Sequence, residues 1–174
     1  MKYVLIIVTI FCSSCIWHDP WRTENYTVSE VFPSDLFYRL EHGFLNEGDL
    51  VIYPVFVPTI SDRDIRTGPY KFVINFVDHS GLINYVEVCD LRILGADNRV
   101  LVANNSSDCN KGVTKNGGNV SVVLSENLNP RFHDKEELYV SFKLQFSAAT
   151  ELEPIDVKIK FEPFLKKGRF VMDA

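Results

Sequence analysis

The chain has 174 residues, a length that fits one domain with a sizeable core. Hydrophobic residues make up 46% and charged residues 24%, the ordinary balance of a globular protein, and thirteen Phe and seven Tyr against two Met point to a core of aromatic and β-branched packing. The formal net charge is -5 without a dense Lys/Arg run, which argues against nucleic acid as the main partner, since phosphate binding needs clustered cations.

The first element in chain order is an export signal. Lys2 supplies a positive start, Val4 to Phe11 an apolar run, and Cys12-Ser13-Ser14 small residues before Cys15. That is the layout of a secretory signal, too short to span a bilayer, and no later segment has the apolar length of a transmembrane helix. At Cys12-Ser13-Ser14-Cys15 the chain resembles the lipobox of bacterial lipoproteins, in which small residues precede a cysteine that is lipidated and becomes the mature N-terminus. The family usually has Leu three residues before the modified cysteine, where this chain has Cys12. The resemblance covers these first fifteen residues and implies a signal peptide over 1–14 and lipid on Cys15. Because Ile16 and not Asp follows the cysteine, it also implies the outer membrane, with the domain facing the periplasm. An ordinary signal peptide would be cut at the same bond, with Cys12 and Ser14 meeting the small-x-small rule.

Cysteine arithmetic separates the two. Ordinary cleavage leaves Cys15, Cys89 and Cys109, an odd number with one free thiol in an oxidising compartment. Lipidation consumes Cys15 and leaves Cys89 and Cys109 to form a disulfide. Asn-x-Ser/Thr triplets at Asn25, Asn104, Asn105 and Asn119 keep a further reading open, a secreted glycosylated viral or eukaryotic binding protein. Trp17 and Trp21, just after Cys15, either add an interfacial contact with the bilayer or pack on the domain.

Residues 15–30 read as a lipidated N-terminus and tether, and residues 31–174 as the folded domain. Ser34 caps a short helical turn over Asp35–Phe44 that Gly43 ends. Strands follow. Leu50–Val57 carries Pro54, which removes a ladder donor and assigns this strand to an edge or bulge. In Tyr70–Val77, Tyr70, Phe72, Ile74 and Phe76 share one face, and the turn Asp78–Gly81 joins this strand to Leu82–Leu94 as a hairpin. Val100–Asn104 and Val120–Ser125 flank the longest loop, Asn104–Asn119. Leu138, Val140, Phe142, Leu144 and Phe146 alternate with polar residues, as do Ile155, Val157, Ile159 and Phe161, so each strand has one buried and one solvated face. About seven short strands with turn chemistry between them predict an all-β fold, an antiparallel two-sheet β-sandwich. Leu165–Ala174 reads as a C-terminal extension.

No catalytic constellation, metal site or cofactor is read from the chain. Asp78-His79-Ser80 holds the residue types of a hydrolase triad, but neighbouring side chains in a turn diverge and cannot form its linear hydrogen-bond relay. No His lies at zinc-ligand spacing. The runs around Asp62–Asp64 and His133–Glu137 read as solvated loops, and Lys166, Lys167 and Arg169 as a solvated basic tail. Binding therefore outranks catalysis. Small anchored β-rich periplasmic lipoproteins resemble immunity proteins that neutralise type VI secretion effectors, lipases among them, and that resemblance implies a protein partner. An envelope-assembly lipoprotein is the structural alternative. The candidate contact residues lie in two loops: Asp62, Arg63, Asp64 and Arg66 in one, Asp108 and Lys111 in the other.

Overall fold

The computed structural model describes residues 22–32, 50–62, 65–79, 81, 83–104, 109–113, 118–148 and 154–167. The signal over 1–14, Cys15, Trp17, Trp21 and the helical turn expected over Asp35–Phe44 lie outside these residues. The described part is all-β, in nine strands: β1 (Arg22–Phe32), β2 (Leu50–Asp62), β3 (Ile65–Asp78), β4 (Ile83–Leu94), β5 (Val100–Ala103), β6 (Asn110–Val113), β7 (Gly118–Leu128), β8 (Leu138–Ala148) and β9 (Ile155–Lys167). They join one mixed sheet along the path β2-β3-β1-β9-β8-β4-β5, with β7 added to β3 and β6 added to β4. Every pairing is antiparallel except β1 with β3, which run parallel at Arg22↔Ile65 and Thr23↔Arg66. The expected purely antiparallel arrangement is corrected at that contact.

The two strands beyond the expected seven are β1 and the short β6. Arg22–Glu30, expected within a tether, belongs to β1, which pairs with β9 from Arg22↔Lys167 to Phe32↔Lys158. The same pairing takes Leu165, Lys166 and Lys167 out of the expected C-terminal extension and into β9.

The alternation read from sequence sets the core. Tyr70, Phe72, Ile74 and Phe76 of β3 are buried, as are Leu138, Val140, Phe142 and Leu144 of β8 and Val157, Ile159 and Phe161 of β9. Phe56 and Phe72 reach across the interior to strands they do not pair with. The Phe56 and Phe161 rings lie 4.9 Å apart at 89°, and Phe72 and Phe142 lie 6.4 Å apart. Edge-to-face rings of this kind add roughly 0.5–1.5 kcal/mol per pair beyond the area they bury. Pro54 falls where its missing donor costs least: among the described residues β2 pairs with β3 alone and ends the sheet path.

The expected hairpin between β3 and β4 does not form. β3 has β2 along one side and β1 and then β7 along the other, so it has no ladder left for β4, which pairs with β8, β5 and β6. The turn between them is nevertheless built as its residues suggest. The buried Asp78 carboxylate accepts the Gly81 and Ile83 N–H groups, each at 3.2 Å, and so redirects the chain between strands.

Within β4 the period of two is broken twice, between Ile83 and Tyr85 and between Cys89 and Arg92, where the register against β8 shifts. Asp90, at φ 54°, marks the second irregularity. An extra residue inserted there flips the side-chain phase, so Val86 and Val88 before it and Leu91 and Ile93 after it all enter the core.

Candidate functional site

The polar residues that the core does not explain gather at one end of the molecule, where β1 and β3 begin, β9 ends, and the β7–β8 connection crosses. Glu24 shares the inward face of β1 with Tyr26, and both are buried. The Glu24 carboxylate pairs with Arg22 Nη2 at 3.1 Å and lies 3.9 Å from His133 Nε2. The backbone carbonyl oxygen of Glu24 accepts the Tyr70 hydroxyl at 3.3 Å. These groups open onto a pocket of about 460 Å³ lined by Arg22, Glu24, Thr67, Tyr70, Arg131, His133 and their neighbours. Gly68 passes so close to the Tyr70 ring that a Cβ would lie 2.5 Å from Cε2, so only glycine lets the backbone wall the pocket there. Burial, together with the nearby Glu24 carboxylate, pushes the Tyr70 hydroxyl up to about 12, against a hydrogen bond from Gly68 that works the other way. Burial likewise raises Tyr26, whose hydroxyl has no hydrogen-bond partner among the described residues.

Beside it lies a second pocket of about 510 Å³ on which Glu136 is the central group. The sequence assigns Glu136 to a solvated loop, yet its side chain is 1% exposed. The carboxylate accepts the Ala96 N–H at 2.9 Å, the Arg131 N–H, and the Arg99 guanidinium on both oxygens at 2.9 and 2.7 Å. Burial alone would raise its pKa; the hydrogen bonds from Arg131, Arg99 and Ala96 outweigh that and hold it below the ordinary carboxylate value. A Cβ on Gly95 would lie 2.1 Å from Glu136 Oε1, so the carboxylate occupies the space a side chain would need. One carboxylate thus ties the turn after β4 to the connection before β8.

Of the residues singled out from sequence, Cys89 and Cys109 are joined in a disulfide with Cα atoms 4.3 Å apart. Cys15, Arg63, Asp64 and Asp108 lie outside the described residues. Asp62 closes β2 opposite Ile65, and Arg66 is exposed on β3 between Ser61 and Thr23. Lys111 sits on β6 opposite Glu87, 3.6 Å from its carboxylate, with Nζ 3.3 Å from the centroid of the Tyr85 ring.

The two candidate loops are not brought together. Asp62 and Arg66 flank the start of β3, whereas the Asn104–Asn119 segment begins beside Leu91 and ends with Asn119 opposite Val77, near the finish of β3. The length of β3 between them is roughly 40 Å at strand rise. Sequence reasoning missed Glu24 and Glu136. The signal for Glu136 was present, since it extends the buried parity of Leu138, Val140, Phe142 and Leu144 by one step.

Compared with protein-family models, with curated proteins and with solved structures, the chain matches none.

Proposed function

We propose that the chain is a non-enzymatic, exported binding protein, folded as a two-layer β-sandwich and held by lipid on Cys15 at the periplasmic face of the outer membrane. The observation that carries this reading is the Cys89–Cys109 disulfide. A disulfide suits an oxidising compartment, and this one uses both cysteines of the domain. Cys12 and Cys15 are the cysteines that remain, which fits loss of the first with the signal and consumption of the second by lipid. The two-layer reading draws support from the Phe56, Phe72, Phe142 and Phe161 rings, which meet between strands that are not hydrogen-bonded neighbours.

The partner in this reading is a protein, a secreted toxin of the membrane-attacking type that an anchored inhibitor would meet at its target. The Asn104–Asn119 segment is the contact surface. Its Cys109 is tied to β4, and Lys111 is held by Tyr85 and Glu87, so part of the ordering cost of binding is met before the partner arrives. Co-purification of the anchored protein from its host tests this. One tightly bound toxic protein, against which the chain protects cells and Lys111→Glu protects less, is the expected result. Recovery of a multi-subunit envelope complex, with no protection, would overturn the inhibitor reading in favour of an assembly role.

A further inference from the structure

We infer that the pocket between the start of β1 and the β7–β8 connection binds a small zwitterion, an α-amino acid with an apolar side chain. The site needs neither the proposed lipid nor the proposed protein partner. Its wall carries both signs of charge in balance: Arg22 and Arg131 supply two cations, and Glu24 and Asp134 two carboxylates. A bare cation bound here would face the guanidinium of Arg22, and a bare anion would face Glu24. A molecule with one charge of each sign leaves neither uncompensated.

Glu24 is the decisive group. Its side chain is 5% exposed, yet one oxygen is unspent. Oε1 pairs with Arg22 Nη2 at 3.1 Å, whereas Oε2 has only His133 Nε2 at 3.9 Å among the described residues, beyond hydrogen-bonding distance. A buried carboxylate oxygen that lines a pocket with an open lone pair is an acceptor for an ammonium. Arg131 supplies the opposite pole. It lines both pockets, and its guanidinium makes no ion pair among the described residues, so its fork of N–H groups is free for a carboxylate. The backbone that carries it is already fixed: the Arg131 N–H goes to the buried Glu136 carboxylate, and the Phe132 ring stands 5.8 Å from that of Tyr26 at 88°. A ligand therefore meets a receptor whose ordering cost is largely met. Asp134, exposed at the mouth, keeps its charge in water. Leu128, Tyr70 and Phe132 offer apolar surface to the ligand's side chain. At the ~30 Å³ that a water molecule occupies in the liquid, about 460 Å³ holds roughly fifteen non-hydrogen atoms, enough for the larger amino acids.

The test is isothermal titration calorimetry on the full chain in a neutral detergent, with L-phenylalanine as the probe. A ligand of that size predicts a Kd of about 1 mM or tighter. Phenylalaninamide keeps the ammonium and lacks the carboxylate, as a peptide N-terminus does, and N-acetylphenylalanine keeps the carboxylate and lacks the ammonium. Each should bind at least about tenfold more weakly, the loss of a hydrogen bond to a charged group. Phosphoethanolamine, a lipid-headgroup zwitterion without an apolar side chain, should also be weaker by about tenfold or more. Arg131→Gln leaves the backbone N–H to Glu136 in place, and should cost L-phenylalanine about tenfold while leaving phenylalaninamide unchanged. A merely structural role for Arg131 would weaken both alike. Lys158→Gln, exposed on β9 and outside the pocket wall, should change neither. No saturable binding of L-phenylalanine up to about 20 mM, a derivative or phosphoethanolamine within about twofold of it, or equal losses in Arg131→Gln would overturn the inference. The derivative series runs on the parent chain, so it decides the matter even if the variant fails to fold.

Discussion

Replacing Glu136 by Gln removes one charge from the centre of the second pocket and changes almost no volume. The carboxylate receives two backbone N–H groups and a guanidinium that touches both oxygens. An amide keeps one accepting oxygen and turns its NH₂ toward either Ala96 or Arg131, where it meets another donor. Hydrogen bonds to a charged group are worth roughly 1.5–3 kcal/mol each, and breaking a buried ion pair costs about 3–5 kcal/mol. Arg99 keeps 35% of its side chain in water, which screens the loss, so the expected destabilisation is about 3 kcal/mol, at the lower end. The pH dependence carries a sign. Because Glu136 has a lowered pKa in the folded state, its contribution is complete above its ordinary value of 4.5 and is lost as pH falls through the folded value. Urea unfolding at about pH 7 and about pH 3 measures both effects, and E136Q should flatten the loss on the acid side. A variant within about 0.5 kcal/mol of the parent at neutral pH, with the same acid sensitivity, would refute the reasoning.

Three further outcomes follow from the same geometry. Gly95→Ala places a methyl against Glu136 Oε1 and should cost about 1–3 kcal/mol by thermal unfolding; an unchanged midpoint would mean that the carboxylate moves aside freely. Cys109→Ser opens a bond between residues 20 apart in sequence and should lower the urea stability by about 3 kcal/mol, an effect that reduction of the parent should reproduce. Tyr70 has a hydroxyl pushed up to about 12, so the stability it brings is present below its ordinary value of 10.0 and lost as pH rises from there. Ultraviolet titration should show tyrosines that ionise only together with alkaline unfolding, and complete ionisation near the ordinary value in the folded state would contradict the burial of Tyr26 and Tyr70.

What the sequence made legible was the set of strands with a fully apolar inward face. β3, β8 and β9 alternate without a break over their cores, and hydrophobic periodicity finds such strands. β1 escaped because its buried positions include Glu24, while Val28, at the same parity, is 36% exposed; the segment reads as polar although its backbone pairs with β9 throughout. β4 was found as a strand but given the wrong partner, because a turn signal states that the chain reverses and not which ladder remains open. Its two register shifts also hide the parity that would have linked Val88 to Leu91.

The acidic residues show the limit most clearly. Glu24, Asp78 and Glu136 are all buried near strand ends, two of them continuing the parity of an apolar face. Read alone, each is a charge in a polar run. Asp78 and Glu24 are engaged by near neighbours, Gly81 and Ile83 for the first and Arg22 for the second, whereas Glu136 relies on partners supplied at a distance, Arg99 lying 37 positions away and Ala96 lying 40, which no local pattern encodes.

The proposed lipid on Cys15 decides where the domain works, and mass measurement of the N-terminal peptide of the protein purified from its host's membranes tests it. A mature N-terminus at Cys15 bearing acyl chains, with Cys89 and Cys109 joined in the same molecule, is the expected result. A chain that begins at an unmodified Cys15, or that still carries Met1 to Ser14, would contradict it.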